Sequence, residues 1–177
     1  MTPEEQRREA RDCVRVIKDC IGERPVGWVG PGNLHTAETL GIVAEEGYTW
    51  FGDAFDDDVP YVAEVNGRRI AVIPKLNYAN DWRAWSGGLG NATTYFEGFR
   101  TSFDYIYQEA LRGRAGAIDV IVHAELGGRP NFACALEQMI RYVKQYQDQV
   151  WIPLRREVAD YLLTASNLPA EPYRPLD

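Results

Sequence analysis

The chain has 177 residues, of which 45% are hydrophobic and 12% aromatic, enough apolar side chain for the core of one domain. Its 19 basic and 26 acidic residues leave a net charge of −7. That argues against nucleic acid and anionic membrane as partners, since both need clustered Lys and Arg. No apolar run approaches the roughly 20 residues of a membrane span, and Met1-Thr2-Pro3-Glu4-Glu5 is too polar for a secretory signal.

Thr2-Pro3-Glu4-Glu5 is a capping box with proline at the first helical position. The stripe Ala10, Cys13, Val14, Ile17 and Ile21 follows at helical spacing, and Gly22 fits the stop. Pro25 to Val29 reads as a short buried strand. Thr36 opens a second helix through Leu40 and Val43, ended by Gly47, and Tyr48 to Phe51 is a further strand. Tyr61 to Val65 and Arg68 to Ile73 flank Asn66-Gly67, a pair suited to the positive φ angles of a type I′ hairpin. Pro74 to Asn91 reads as a long irregular stretch carrying Trp82 and Trp85, which favour order.

A long helix is expected from Thr93 to Leu111, with Phe96, Phe99, Phe103, Ile106, Tyr107 and Ala110 on one side. Ile118 to Val122 is a continuous apolar run, as in a strand buried on both faces, and it ends in His123. Asn131 caps a helix through Leu136, Ile140 and Val143. Val150 to Ile152 is a last strand, Leu154 to Leu163 a last helix, and Pro169 to Asp177 an extended tail after a domain spanning 1–168. Strands alternating with helices indicate parallel βαβ units. Only about four barrel-type strands are supplied, where about eight close a barrel. Cys13 and Cys20 lie about 10 Å apart along one helix, too far for a disulfide. Cys134 falls on another helix, and a reducing cytoplasm is the default.

Arg24-Pro25-Val26-Gly27-Trp28, Glu45-Glu46-Gly47-Tyr48, Asp57-Asp58-Val59-Pro60-Tyr61, Asn80-Asp81, His123, Gly128-Arg129-Pro130 and Val150-Trp151 follow one another in a characteristic order. Together they resemble the C-terminal half of NodB-type polysaccharide deacetylases, in particular the branch with allantoinase-like amidohydrolases. The resemblance implies an α/β fold, half of a distorted (β/α) barrel completed by a partner chain. It implies hydrolysis of amide or related C–N bonds, usually with a divalent metal such as zinc. The aspartate pair and the His-x-x-x-His motif that hold this metal in the family are absent from the sequence, whose only histidines are His35 and His123. No metal is therefore expected on this chain alone, and a partner would carry it. The family's arginine after Trp28 is also missing, replaced by Val29-Gly30-Pro31-Gly32.

By resemblance His123 is the general acid that protonates the leaving nitrogen. A histidine suits this because its ordinary pKa lies near working pH. Without the resemblance, a structural histidine at a strand end is favoured. Asp81 is its expected companion, setting its tautomer and raising its pKa; the other reading of Asn80-Asp81 is an Asx turn. Trp28, Trp82 and Trp85 offer flat surfaces for a planar substrate, and Asn33 and Asn80 amide donors and acceptors. The alternative for these is core packing or turn structure. Glu125, His35 and Cys134 read as loop, surface and packing residues, and Asp56-Asp57-Asp58 as a solvated turn.

Two functions remain. The chain is one subunit of a split hydrolase acting on a small amide, cyclic amide or ureide, with a second chain supplying the metal site. Otherwise it is a non-catalytic half-barrel that binds a ligand or stabilises a partner, including another copy of itself. A fragment of a longer protein is a third possibility.

Overall fold

The computed structural model of the chain describes residues 1–86, 92–165 and 167–173. In chain order the elements begin with α1 (Pro3–Ile21), β1 (Gly27–Trp28), a 3-10 turn Pro31–Asn33, α2 (Thr39–Glu45) and β2 (Trp50–Phe51). The hairpin strands β3 (Tyr61–Val65) and β4 (Arg68–Val72) follow, then β5 (Ala79–Asn80), α3 (Asp81–Ser86) and α4 (Ala92–Ala110). The rest is β6 (Val120–Ile121), α5 (Ala124–Gly127), α6 (Pro130–Val143), α7 (Arg155–Asp160), a π-helical turn Tyr161–Ala165 and β7 (Glu171–Pro172). Every strand pairing except the β3–β4 hairpin is parallel. Short parallel strands joined through helices are the half-barrel architecture expected from the sequence.

These elements form two compact units. The first comprises residues Met1–Lys75 and Pro153–Asp177, with a sheet in the order β1-β2-β4-β3-β7. The capping box at Thr2 is formed, and Gly22 ends α1 at φ 79°. Asn66 and Gly67 take φ 51° and 70°, and the hairpin pairs from Tyr61↔Val72 to Val65↔Arg68. Leu40, Val43, Phe51, Ile70 and Val72 are buried together with Ala10. The second unit, Leu76–Ile152, holds the parallel pair β5–β6, with Ala79 opposite Val120 and Asn80 opposite Ile121. Its core is aromatic: Tyr95, Phe99 and Phe103 of α4 meet Phe132 and Met139 of α6.

Several sequence expectations are corrected. Thr36 lies before α2, whose first helical residue is Thr39, and the Thr36 N–H is taken by the Thr39 hydroxyl. Ile17 and Ile21 are exposed, although they continue the apolar stripe of α1. The helix packed against it, α2, is only about 10 Å long, against about 28 Å for α1, and covers its first half. Residues 74–86 are not irregular: they contain β5 and α3, and the rest of that stretch, 87–91, lies outside the described residues. Arg129, not Asn131, caps α6, because Pro130 takes the first helical position, where its missing N–H costs nothing. Val150–Ile152 forms no strand among the described residues. Val150 N–H closes a turn onto the Tyr146 carbonyl, and a strand needs a ladder partner. Tail residues Glu171–Pro172 add a parallel strand to β3, while 174–177 lie outside the described residues.

Candidate active site

β5 and β6 run side by side in the same direction, so the residues that follow them emerge together at their C-terminal ends. Those residues are Asp81, the first of α3, and His123, the N-cap of α5. Asp81 Oδ1 stands 2.6 Å from His123 Nδ1, and Asp81 Oδ2 accepts the His123 backbone N–H at 2.8 Å. Oδ1 also accepts the Trp82 N–H at 2.7 Å. One carboxylate thus fixes both the backbone and the ring of the histidine. A carboxylate only accepts, so Nδ1 carries a proton and Nε2 is left to exchange one. Asp81 is 1% exposed while the His123 side chain is 36% exposed, so the clamp is dry and the ring is wet.

The surroundings explain how the pair is held. Tyr95 donates its hydroxyl to the Ile121 carbonyl at 3.2 Å, anchoring the end of β6. Gly127 folds back so closely that a Cβ there would lie 2.0 Å from Val122 Cγ1 and 3.5 Å from Asp81 Oδ2. Only glycine allows this approach, and it lets α5 begin directly at His123.

Trp82 leans over the imidazole, with ring centroids 6.0 Å apart at 50°, and is largely exposed. Trp85 lies under the Arg129 guanidinium at 4.7 Å. Asn80 uses its side chain locally: its oxygen caps the N–H groups of Trp82 and Arg83 and its amide donates to Asn77. Trp28 and Asn33 belong to the other unit. Trp28 packs edge-on against Tyr48 at 5.6 Å. Asn33 accepts a hydrogen bond from Lys75 Nζ at 2.6 Å. His35 donates Nδ1–H to the Asn33 carbonyl at 3.1 Å. In the acidic turn Asp57 accepts the Val59 N–H and Asp56 the Tyr61 hydroxyl.

Asp53 and Lys75 were not anticipated. Both follow strand ends, β2 and β4, and the position that singled out His123 applies to them too. Asp53 is fully buried. Its Oδ2 accepts the Gly30 N–H at 2.6 Å, and its Oδ1 has no partner among the described residues. Burial pushes its carboxyl above the ordinary value of 3.8, opposed by the Gly30 hydrogen bond and by the charges of His35, Lys75 and Arg155. Between pH 3.8 and the raised folded value the native state holds a proton that the unfolded chain has lost, so this residue's stabilisation is complete below pH 3.8 and falls as pH rises through the raised folded value. Asp53→Asn should remove this slope, which urea unfolding midpoints measured in steps from pH 4 upward would show.

Parallel strands with an acid–histidine pair at their C-terminal ends have the site placement found across (β/α)-barrel enzymes. No family model matches the chain. A protein of Schizosaccharomyces pombe named "Putative polysaccharide deacetylase" is 28% identical over 101 residues, 57% of this chain and 27% of that protein. The solved "probable Polysaccharide deacetylase" of Pseudomonas aeruginosa PAO1 is 30% identical with TM-score 0.81, covering 91% of this chain and 54% of that one. PuuE allantoinase is 30% identical with TM-score 0.83, covering 93% and 55%. The chain is thus similar to polysaccharide deacetylases and to PuuE allantoinase, as its sequence resemblance implied, and it spans about half the length of these solved structures. Among the described residues no three His, Cys, Asp or Glu side chains come together, so they do not fit the metal that the resemblance implies.

Proposed function

We propose that this chain takes part in hydrolysing a C–N bond of a small amide, cyclic amide or ureide. His123 supplies the proton for the leaving nitrogen. The observation that carries this reading is the double hold of Asp81 on His123, which fixes Nδ1–H and leaves Nε2 of a partly exposed ring to exchange a proton. In the protonated state Nε2–H is the acid and Asp81 balances the imidazolium charge. Trp82 gives the substrate a flat wall beside the ring. Attack on the carbonyl is assigned to no residue of this chain.

The remaining part of the barrel comes from a second chain or a second copy. Relatives about twice as long support this, as do large exposed apolar side chains: Val29, Leu34 and Phe55 in one unit, Val122, Trp151 and Ile152 in the other. Surfaces of this kind mark interaction sites. Light scattering on the purified chain should give a mass above that of one copy, and affinity isolation from its native cells should recover a stoichiometric companion whenever the chain does not self-associate. A cooperative, well-folded monomer with no companion would sink the split-site reading.

A further inference from the structure

We propose that Lys75 and Asn33 form a binding site for the carboxylate of a small molecule, at the C-terminal ends of β4 and β1. Lys75 is half-buried and its ammonium donates to a single neutral acceptor, Asn33 Oδ1, at 2.6 Å. No carboxylate lies within ion-pairing distance of it among the described residues. The ammonium of this half-buried lysine feels the charge of Asp53 but hydrogen-bonds to no carboxylate, so it gains from an anion that reaches it, since charge-assisted hydrogen bonds are the strong ones. Two of its three N–H groups remain for that purpose. Asp53, whose charge acts on it, cannot serve: one carboxylate oxygen holds the Gly30 N–H and the other is sealed from solvent.

Asn33 adds the second half. Because Lys75 occupies Oδ1, the carboxamide is oriented with its NH2 on the other branch, and no described residue accepts from it. The residue is held at φ 58°, in the left-handed region, by its own N–H to the Gly30 carbonyl at 3.0 Å and by the His35 ring on its carbonyl at 3.1 Å. Lys75 is fixed as well, through its N–H to the Ala54 carbonyl at 2.9 Å. An ammonium and a carboxamide NH2 on one hydrogen-bonded pair supply donors for the two oxygens of a carboxylate. The role of this anion rests on the hydrolase reading: opening a cyclic amide releases a carboxylate, and an open ureide acid already carries one.

The test is a titration of the 15N-labelled full chain with sodium oxamate, a carboxylate bearing an amide, at ionic strength held constant with chloride. Saturable shifts are expected at the backbone amides of Gly30 to His35, with a dissociation constant on the order of millimolar, as for other small fragments. Neutral acetamide should produce none. Lys75→Met should weaken binding about tenfold or more, while Lys75→Arg keeps it, because the charge decides. Asn33→Gly, which keeps the left-handed backbone and removes the donors, should weaken it too and serves alone if Lys75→Met does not fold. No saturation by about 100 mM oxamate, far above the expected range, or equal affinity in the folded variants, overturns the proposal. His123→Ala should leave oxamate binding intact, so a chain that binds oxamate through Lys75 yet hydrolyses nothing with its completing partner present refutes the hydrolase reading alone.

Discussion

On the proposed hydrolase function, replacing His123 with alanine is expected to lower turnover of the completed site by about 10²- to 10⁴-fold, the span for losing a general acid or base. The leaving nitrogen must be protonated as the C–N bond breaks, because an amide anion is too poor a leaving group. The substitution removes the ring that Asp81 aims outward while leaving its backbone N–H on Asp81 Oδ2. KM should change much less than kcat, since the proton moves in the transition state. Steady-state kinetics with the completing partner present, and circular dichroism to confirm the fold, are the measurements. Near wild-type turnover in an assembled His123→Ala complex would make the histidine structural and favour a non-catalytic half-barrel.

Asp81→Asn is expected to harm both stability and turnover, although it changes one atom. Three donors converge on the carboxylate: the His123 ring and the Trp82 N–H on Oδ1, and the His123 N–H on Oδ2. An amide group has to turn its NH2 toward one side. Toward Oδ2 it meets the His123 N–H. Toward Oδ1 it meets the Trp82 N–H and forces the imidazole into the other tautomer. The first orientation strands the part-buried His123 N–H, which costs about 1–3 kcal/mol, whereas in the second the Trp82 N–H keeps its bond to Asn80 Oδ1. Denaturant unfolding should show that loss, and the 15N shifts of the ring should show the tautomer released from its present state. A smaller fall in turnover than for His123→Ala is expected, because the ring itself remains.

Much of this site could be read from the order of residues. His123 stood out because an apolar strand stops abruptly at it, and strand ends of parallel sheets are where function collects. Asp81 became its companion through resemblance, and the geometry brings the two together. What could not be read is which of two neighbouring polar residues does what. Asn80 and Asp81 both suit an Asx turn, and only the β5–β6 register shows Asn80 capping α3 while Asp81 turns to the histidine. Asp53 and Lys75 escaped because their significance lies in missing partners, which no linear pattern records. The strand expected at Val150–Ile152 failed for a related reason: apolar composition marks a strand only where a neighbour supplies the ladder.

The small strand near the chain's end bears on how these molecules behave at high concentration. β7 lies outermost on its sheet, beside β3, and half of it is Pro172. Proline has no N–H to offer a further strand, so the rim it forms is a poor template for edge-to-edge stacking. Removing residues 167–177 would bare the flank of the hairpin, whose β3 edge carries the buried Val62 and Ala63. Shortened versions of the chain would then precipitate through β3 even with the histidine site intact.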